Sequence, residues 1–321
     1  MQKPKIYVTR KIPNEALKML EERCDVTCWS QENEPVSRQE LLEAVKDVDG
    51  IYCLLTERID AEVFEAAPRL RIVSTMAVGY DNIDVVEAKR RGVMVTNTPG
   101  VLTETTADLT FALLMATARR LPEAEAFVKE DKWSTWSPML MTGQDVYGAT
   151  LGVIGMGRIG EAVIRRARGF DMKLLYHNRT RKPELETELG VVYTSMDDLL
   201  KQSDFIIVLT PLTSETKHLI GEREFGLMKD TAVFINTSRG PVVDEEALYE
   251  ALVNNKIWAA GLDVFEKEPI RGNHPLLTLS NVVALPHIGS AGIATRTKMA
   301  VLAAESLLAG VFRDEPPRRI V

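Results

Sequence analysis

Short apolar runs alternate with amphipathic stretches along almost the whole chain, and this rhythm restricts the fold more than any other feature. Ile6-Tyr7-Val8-Thr9 leads into a helical stretch over 14–24, apolar at Ala16, Leu17 and Leu20. Further runs at 26–29, 50–55, 71–75 and 93–96 are separated by helical stretches near 38–45, 61–67 and 84–91. The runs are too apolar to carry a wetted face, so they predict a parallel sheet covered by helices on both sides. Right-handed crossovers then decide most of the topology. Pro99-Gly100 closes this block, and a long helix is predicted over 101–120, long enough to pass from one domain into the next. A second series begins at Leu151, with strands predicted at 152–155, 173–176, 191–193, 205–209, 232–236, 259–264 and 282–285. Its seven strands predict a larger doubly wound sheet. A last amphipathic helix over 293–308 is expected to return to the first block. The fold class is therefore α/β with two doubly wound parallel-sheet domains. The smaller is discontinuous, 1–99 plus 288–321, and the larger spans 100–287.

The 321 residues carry 39 Lys and Arg against 46 Asp and Glu, a formal charge of -7. That balance argues against nucleic acid as a partner, because neutralising phosphates needs clustered cations. No apolar run approaches the ~20 residues of a membrane span, and the first residues lack the apolar core of a signal peptide. Three cysteines, an odd number, and 12 methionines fit a reducing cytoplasm. Cys24 and Cys28 have the spacing of half a metal site, but no second Cys or His pair accompanies them, so no metal is expected.

The segment 121–147 is the least regular. It holds Trp133, Trp136, Pro138, Met139, Leu140 and Met141 where a polar loop is expected. Either its own domain covers these side chains or a partner subunit does, and aromatic residues and Met are enriched at interfaces.

Leu151-Gly152-Val153-Ile154-Gly155-Met156-Gly157-Arg158-Ile159-Gly160 contains G-x-G-x-x-G between an apolar strand and a helix. In that context Gly155 allows the tight turn, Gly157 lets a pyrophosphate approach the backbone, and Gly160 allows close helix–sheet packing. The amides of Arg158 and Ile159 and the helix dipole favour the anion. After the next strand an NAD-selective site usually places Asp or Glu. Here the chain reads Tyr176-His177-Asn178-Arg179-Thr180-Arg181-Lys182. With the acid absent and cations present, the turn predicts NADP(H) as the preferred cofactor, with NAD(H) also accommodated. Arg179 and Arg181 are the expected 2'-phosphate contacts, assisted by Asn178 or Thr180. The alternative is an ordinary solvated charged turn.

Reducing a keto group needs a hydride donor, a proton donor and a cation near the developing alkoxide. Of four histidines, His177 sits in the cofactor-selecting turn, His218 lies on a polar face and reads as solvated, and His274 has no evident orienting partner. His287 ends the apolar run 282–286, and carboxyl ends of parallel strands are where ligands bind. By position alone it is either an acid–base group or a structural histidine. Arg239 stands just past the strand 233–236, positioned to hold a carboxylate or polarise a carbonyl. Glu268 stands past 261–264, positioned to pair with His287 and keep it protonated.

These residues resemble the D-isomer-specific 2-hydroxyacid dehydrogenase family over nearly the whole chain, and within it the glyoxylate/hydroxypyruvate reductase branch. The resemblance rests on Ser74-Thr75-Met76-Ala77-Val78-Gly79-Tyr80-Asp81, the phosphate loop, Asn236-Thr237-Ser238-Arg239-Gly240, the run from Gly261 to Pro269, and Pro286-His287-Ile288-Gly289-Ser290-Ala291. It implies a Rossmann-like cofactor domain and a smaller flavodoxin-like substrate domain. It implies Arg239, Glu268 and His287 as the catalytic trio, with His287 as proton donor also reaching the cofactor. It places the substrate carboxylate on the amides of Val78 and Gly79, with Leu54 and Ser290 close by. It assigns Thr106, Pro211, Thr237 and Asp263 to the cofactor, and has Trp136 enter a neighbouring subunit's site, which implies a homodimer through 121–147. The implied reaction is NADPH-dependent reduction of glyoxylate or hydroxypyruvate. Other members, acting on D-lactate or D-3-phosphoglycerate, are the alternative, and a non-catalytic dinucleotide sensor is a third reading. Formate dehydrogenases are disfavoured because that branch lacks a Glu at the position of Glu268.

Overall fold

A computed structural model describes residues 3–321, and the chain divides into two compact units, Met1–Leu102 with Ala291–Val321, and Thr103–Ser290. In the first unit the chain runs β1 (Lys5–Val8), α1 (Asn14–Arg23), β2 (Asp25–Cys28), α2 (Arg38–Ala44), β3 (Gly50–Cys53), α3 (Ala61–Ala66), β4 (Ile72–Thr75), α4 (Val85–Arg91) and β5 (Met94–Thr96). Among the described residues these strands form one parallel sheet, ordered β2-β1-β3-β4-β5. Side chains on successive strand residues point to opposite faces, and the central strands β3 and β4 are buried on both, whereas the edge strand β2 exposes Asp25 and Thr27. Ile51 and Val73 join a core with α2, α3 and α4. The helices start where the local chemistry directs them, with Ser37, Asp60 and Asp84 capping the first turns of α2, α3 and α4.

The second unit contains α5 (Thr103–Ala118), α6 (Leu121–Lys129), β6 (Thr150–Ile154), α7 (Arg158–Ala167), β7 (Lys173–His177), α8 (Pro183–Leu189), β8 (Val192–Tyr193), α9 (Met196–Gln202), β9 (Phe205–Val208), α10 (Glu222–Phe225), β10 (Val233–Asn236), α11 (Glu245–Val253), β11 (Ala259–Leu262) and β12 (Val282–Ala284). Its sheet is parallel, in the order β12-β11-β10-β9-β6-β7-β8. Val153, Ile207 and Ile235 face one core, which includes residues of α5 and α7. Ile154, Ile206, Val208 and Phe234 face the other, with residues of α9, α10 and α11. The chain then forms α12 (Ile293–Val311), which belongs to the first unit. It covers the second face of that unit's sheet, where the Tyr52 hydroxyl donates to the Ala300 carbonyl at 3.2 Å and Ser74 Oγ donates to Ala303 O at 2.8 Å.

The long helix begins at Thr103 and lies wholly in the second unit, since the division falls between Leu102 and Thr103. The segment 121–147 is not irregular throughout, since α6 occupies its first third. Pro122 sits in the first turn of α6, where a missing N–H costs nothing, and Arg120 pairs with Glu123 and Lys129 with Glu125. Beyond α6 the large side chains are uncovered in their own unit: Trp133 is 57% exposed, Trp136 74% and Met139 75%. Burial under their own domain is thereby excluded for these three. Among the described residues, no helix is long and apolar enough to cross a membrane.

Candidate active site

In the second unit the strand order reverses between β6 and β9, and in open parallel sheets ligands bind beyond the carboxyl ends at such a point. The loop leaving β6 turns at Gly155, whose φ of +99° lies in the region that disfavours side chains. A Cβ there would stand 2.8 Å from the Leu209 carbonyl carbon and 2.9 Å from the Thr210 nitrogen, so the loops after β6 and β9 touch through backbone. Gly157, at the N-cap of α7, instead faces open space. Arg158 is exposed, Ile159 half-buried and Gly160 buried. The Thr210 hydroxyl is buried and makes no hydrogen bond within the protein, the condition of a group that awaits a ligand or a water. Open space at Gly157, a buried hydroxyl and a helix start at one switch point suit a dinucleotide phosphate. Pro211 follows directly, its carbonyl accepting from Thr216 Oγ1 at 2.6 Å.

Beyond β7 the charged turn is more committed than its sequence indicates. Arg181 makes a two-pronged pair with Glu186, Nε to Oε1 at 2.8 Å and Nη2 to Oε2 at 2.7 Å. The Tyr176 hydroxyl donates to the same Oε1 at 2.8 Å. Chiefly through Arg181, the Glu186 carboxyl is held down to about 2. Lys182 pairs with Glu161 at 3.0 Å. Asn178 Nδ2 donates to the Thr180 carbonyl at 2.8 Å, shaping the turn. Arg179 is exposed. Thr213, chiefly, with Arg179 at longer range, holds the Glu215 carboxyl below its ordinary range.

Three strand ends supply the ionisable groups. After β12, His287 adopts a φ of +54°, a costly conformation for a residue with a side chain. The carboxylate of Asp263, at the end of β11, accepts from the Ile288 and Gly289 amides at 2.8 Å each and pins that turn. Burial pushes the Asp263 carboxyl up, against those two amides. His287 Nδ1 then lies 2.7 Å from Glu268 Oε2, while the other oxygen of Glu268 accepts from the Phe265 amide at 3.0 Å. Burial works against the charged form of Glu268, yet the His287 bond and charge, the Phe265 amide and nearby Arg239 together hold its carboxyl below the ordinary value. Arg239 follows β10, where Asn236 ties the turn by accepting from Ser238 N at 3.0 Å and donating to the Arg239 carbonyl at 3.1 Å. Thr237 Oγ1 meets Thr110 Oγ1 at 2.7 Å, and Thr110 donates to the Thr106 carbonyl at 2.7 Å. A Cβ on Gly289 would lie 3.4 Å from Thr106 Cγ2, and Ser290 follows directly. With Nδ1 taken by the carboxylate, His287 Nε2 is the nitrogen placed to exchange a proton.

In the first unit Leu54 and Val78 mark neighbouring strand ends. The Leu54 amide donates to Glu57 Oε2 at 2.9 Å and its carbonyl accepts from Asn82 at 3.0 Å. The Val78 carbonyl accepts from Asn97 at 2.8 Å, and Gly79 follows half-buried. Trp136 stands exposed on the loop after α6.

Two histidines differ from their sequence reading. His218 is not merely solvated, since its Nε2 lies 3.0 Å from Glu266. His274 does have an orienting partner, Glu245, at 3.3 Å. Both partners are remote in sequence, so no local pattern reveals them. Thr210, Asn236 and Thr110 also escape a sequence reading, although all three lie in or beside the motifs already singled out.

Comparison with known proteins extends the likeness. Residues 111–289 match the family model described as D-isomer specific 2-hydroxyacid dehydrogenase, NAD binding domain. A glyoxylate reductase of Korarchaeum cryptofilum is 55% identical over 319 residues, covering 99% of this chain and 96% of that protein. The crystal structure of the TT0316 protein from Thermus thermophilus superposes with a TM-score of 0.92 at 44% identity, covering 99% of this chain and 100% of that one. An NADPH-dependent glyoxylate/hydroxypyruvate reductase from Sinorhizobium meliloti, solved with NADP and malonate, has a TM-score of 0.87 at 34% identity, covering 100% of this chain and 97% of that one.

Proposed function

Because the chain belongs to the D-isomer specific 2-hydroxyacid dehydrogenase family, we propose that it is an NADPH-dependent reductase of glyoxylate and hydroxypyruvate. The observation that carries this reading is the hydrogen-bonded His287–Glu268 pair, 2.7 Å apart, in the same unit as an anion-suited switch-point loop. NADPH supplies the hydride when bound. Gly155, Gly157, Arg158, Ile159 and Gly160 hold its pyrophosphate, and Thr106, Thr210, Pro211, Thr237 and Asp263 line its path. Arg179 grips the 2'-phosphate, with Asn178, Thr180 and Arg181 supporting the turn. NADH is accepted less well.

The amides of Val78 and Gly79 receive the substrate carboxylate, with Leu54 and Ser290 close to it. Arg239 holds the keto acid and offsets charge gathering on the carbonyl oxygen. His287 Nε2 gives its proton to that oxygen, and Glu268 stabilises the imidazolium beforehand. The first unit serves the substrate and the second the cofactor. Exposed Trp133, Trp136, Met139 and Leu140 support a homodimer through 121–147, with Trp136 entering the partner's site. The three cysteines are free thiols, in keeping with the cytoplasm.

The test follows nicotinamide absorbance with NADPH or NADH against glyoxylate, hydroxypyruvate and pyruvate. The expected result is turnover of the first two ahead of pyruvate, with the higher kcat/KM for NADPH. A preference for NADH overturns the cofactor assignment, and no oxidation with any keto acid overturns the reaction.

A further inference from the structure

Beside the His287–Glu268 pair lies a second set of ionisable groups that the proposed reaction does not use. Glu245, the first residue of α11, and Glu266, two residues before Glu268, clasp each other through side chain and backbone. The Glu266 amide donates to Glu245 Oε1 at 2.7 Å, and the Glu245 amide donates to Glu266 Oε1 at 3.3 Å. The outer flanks are histidines, His274 at 3.3 Å from Glu245 Oε2 and His218 at 3.0 Å from Glu266 Oε1. Asp244 lies 3.9 Å from His218. The turn 265–268 is gripped from another side too. A Cβ on Gly240 would stand 1.8 Å from the Phe265 carbonyl carbon, so the backbone just after Arg239 lies directly against it.

An acidic residue at the first position of a helix is ordinarily accounted for by the helix dipole. Glu245 differs from that case. Its side chain is only 14% exposed, and both oxygens are spent on groups outside α11. Burial, the largest influence, pushes its carboxyl up, with Glu266 and Glu268 adding in the same direction against the Glu266 amide and His274. A carboxylate placed at that disadvantage is explained by what it holds. We infer that Glu245 is a positioning residue of the proton-donating pair: by clasping Glu266 it fixes the turn that presents Glu268 to His287.

The inference rests on the proposed role of that pair. The groups facing the His287–Glu268 pair are Asp263, Arg239 and Glu245, and those facing Glu245 are His274, Glu266 and Glu268. Without the clasp Glu268 swings away, and the imidazolium loses the carboxylate that favours it. The E245A variant should therefore lose about tenfold in kcat for glyoxylate with KM nearly unchanged, and the alkaline limb of its pH profile should move down by about one pH unit. E245Q still accepts from the Glu266 amide and should recover most of both losses. A merely structural role lowers the amount of folded enzyme but leaves the limb in place. An E245A limb that coincides with wild type overturns the inference, as does E245Q failing to rescue. Should E245A not fold, E245D keeps the charge but draws the carboxylate back from the Glu266 amide that it holds at 2.7 Å, and an unmoved limb there overturns the inference equally. If wild type reduces no keto acid, the reading of the reaction fails instead. A crystal structure of E245A then decides the present point, being contradicted by a Glu268–His287 contact still at hydrogen-bond distance.

Discussion

The two units reverse strand order in the same way but treat the reversal differently. In the first unit it falls between β1 and β3, and the chain fills it with a carboxylate of its own. Glu57, 3% exposed, accepts from Thr9 Oγ1 at 2.7 Å on one side and from the Leu54 amide at 2.9 Å on the other, with Arg10 at 3.4 Å. In the second unit it falls between β6 and β9, where the two loops meet through backbone at Gly155. Open space meets Gly157, and the Thr210 hydroxyl is buried without a partner. One architecture thus yields a crevice sealed by its own residues and another left for a ligand, so the capacity to hold a cofactor belongs to the loops and not to the sheet.

Substitutions can break this contrast. The largest effect is expected from His287→Ala, which should cost on the order of 10²–10⁴ in kcat. NADPH affinity, read by fluorescence titration, should change little, and near-normal turnover would remove His287 from the chemistry. Next, Glu57→Ala should destabilise the protein by roughly 3–5 kcal/mol, because it removes the buried acceptor of Thr9, Thr56 and the Leu54 amide together with the carboxylate facing Arg10. Thermal unfolding checks this, and an unchanged midpoint would mean that the first reversal point is not sealed by Glu57. Gly155→Ala forces a side chain into a left-handed turn against the Leu209 backbone. It should cost about 1–3 kcal/mol and, unlike Glu57→Ala, weaken NADPH binding. If Gly155→Ala bound NADPH normally, the two reversal points would not differ as described.

Smaller effects sharpen the picture. Arg179→Ala should raise the Kd for NADPH about tenfold and leave NADH unaffected, the loss of a charge-assisted contact. An equal loss for both cofactors would place Arg179 elsewhere. The smallest effect concerns pH. The Glu268 carboxyl is held below its ordinary value, so its contribution to stability is present above the ordinary glutamate range. It is lost as the pH falls through the lowered value. Urea midpoints of wild type and Glu268→Gln should differ at neutral pH and converge in acid, and a constant gap would contradict the pairing.

How much of this was legible in sequence depended on distance along the chain. The twelve strands, the glycine loop and the strand ends bearing Arg239, Glu268 and His287 depend on neighbouring residues, which a linear pattern records. The helix α6 was missed because aromatic and Met residues downstream of it masked a short helical signal that begins at Pro122. Glu245–His274 and Arg181–Glu186 were missed because charged residues in turns have many possible partners, and only the folded chain selects among them. Glu57 was missed for a related reason: nothing in Leu55-Thr56-Glu57-Arg58 distinguishes a buried acid from a solvated one.

Finally, α12 lies in the sequence after the whole of the second unit, yet it forms one wall of the first. During synthesis residues 103–290 emerge as an uninterrupted stretch and can complete their own core. The sheet face holding Tyr52 and Ser74 must wait, bare, until 293–311 have left the ribosome. That interval exposes an apolar surface to chaperones and to other nascent chains. A permuted gene that encodes α12 ahead of β1 would shorten the interval while keeping the Tyr52–Ala300 and Ser74–Ala303 contacts.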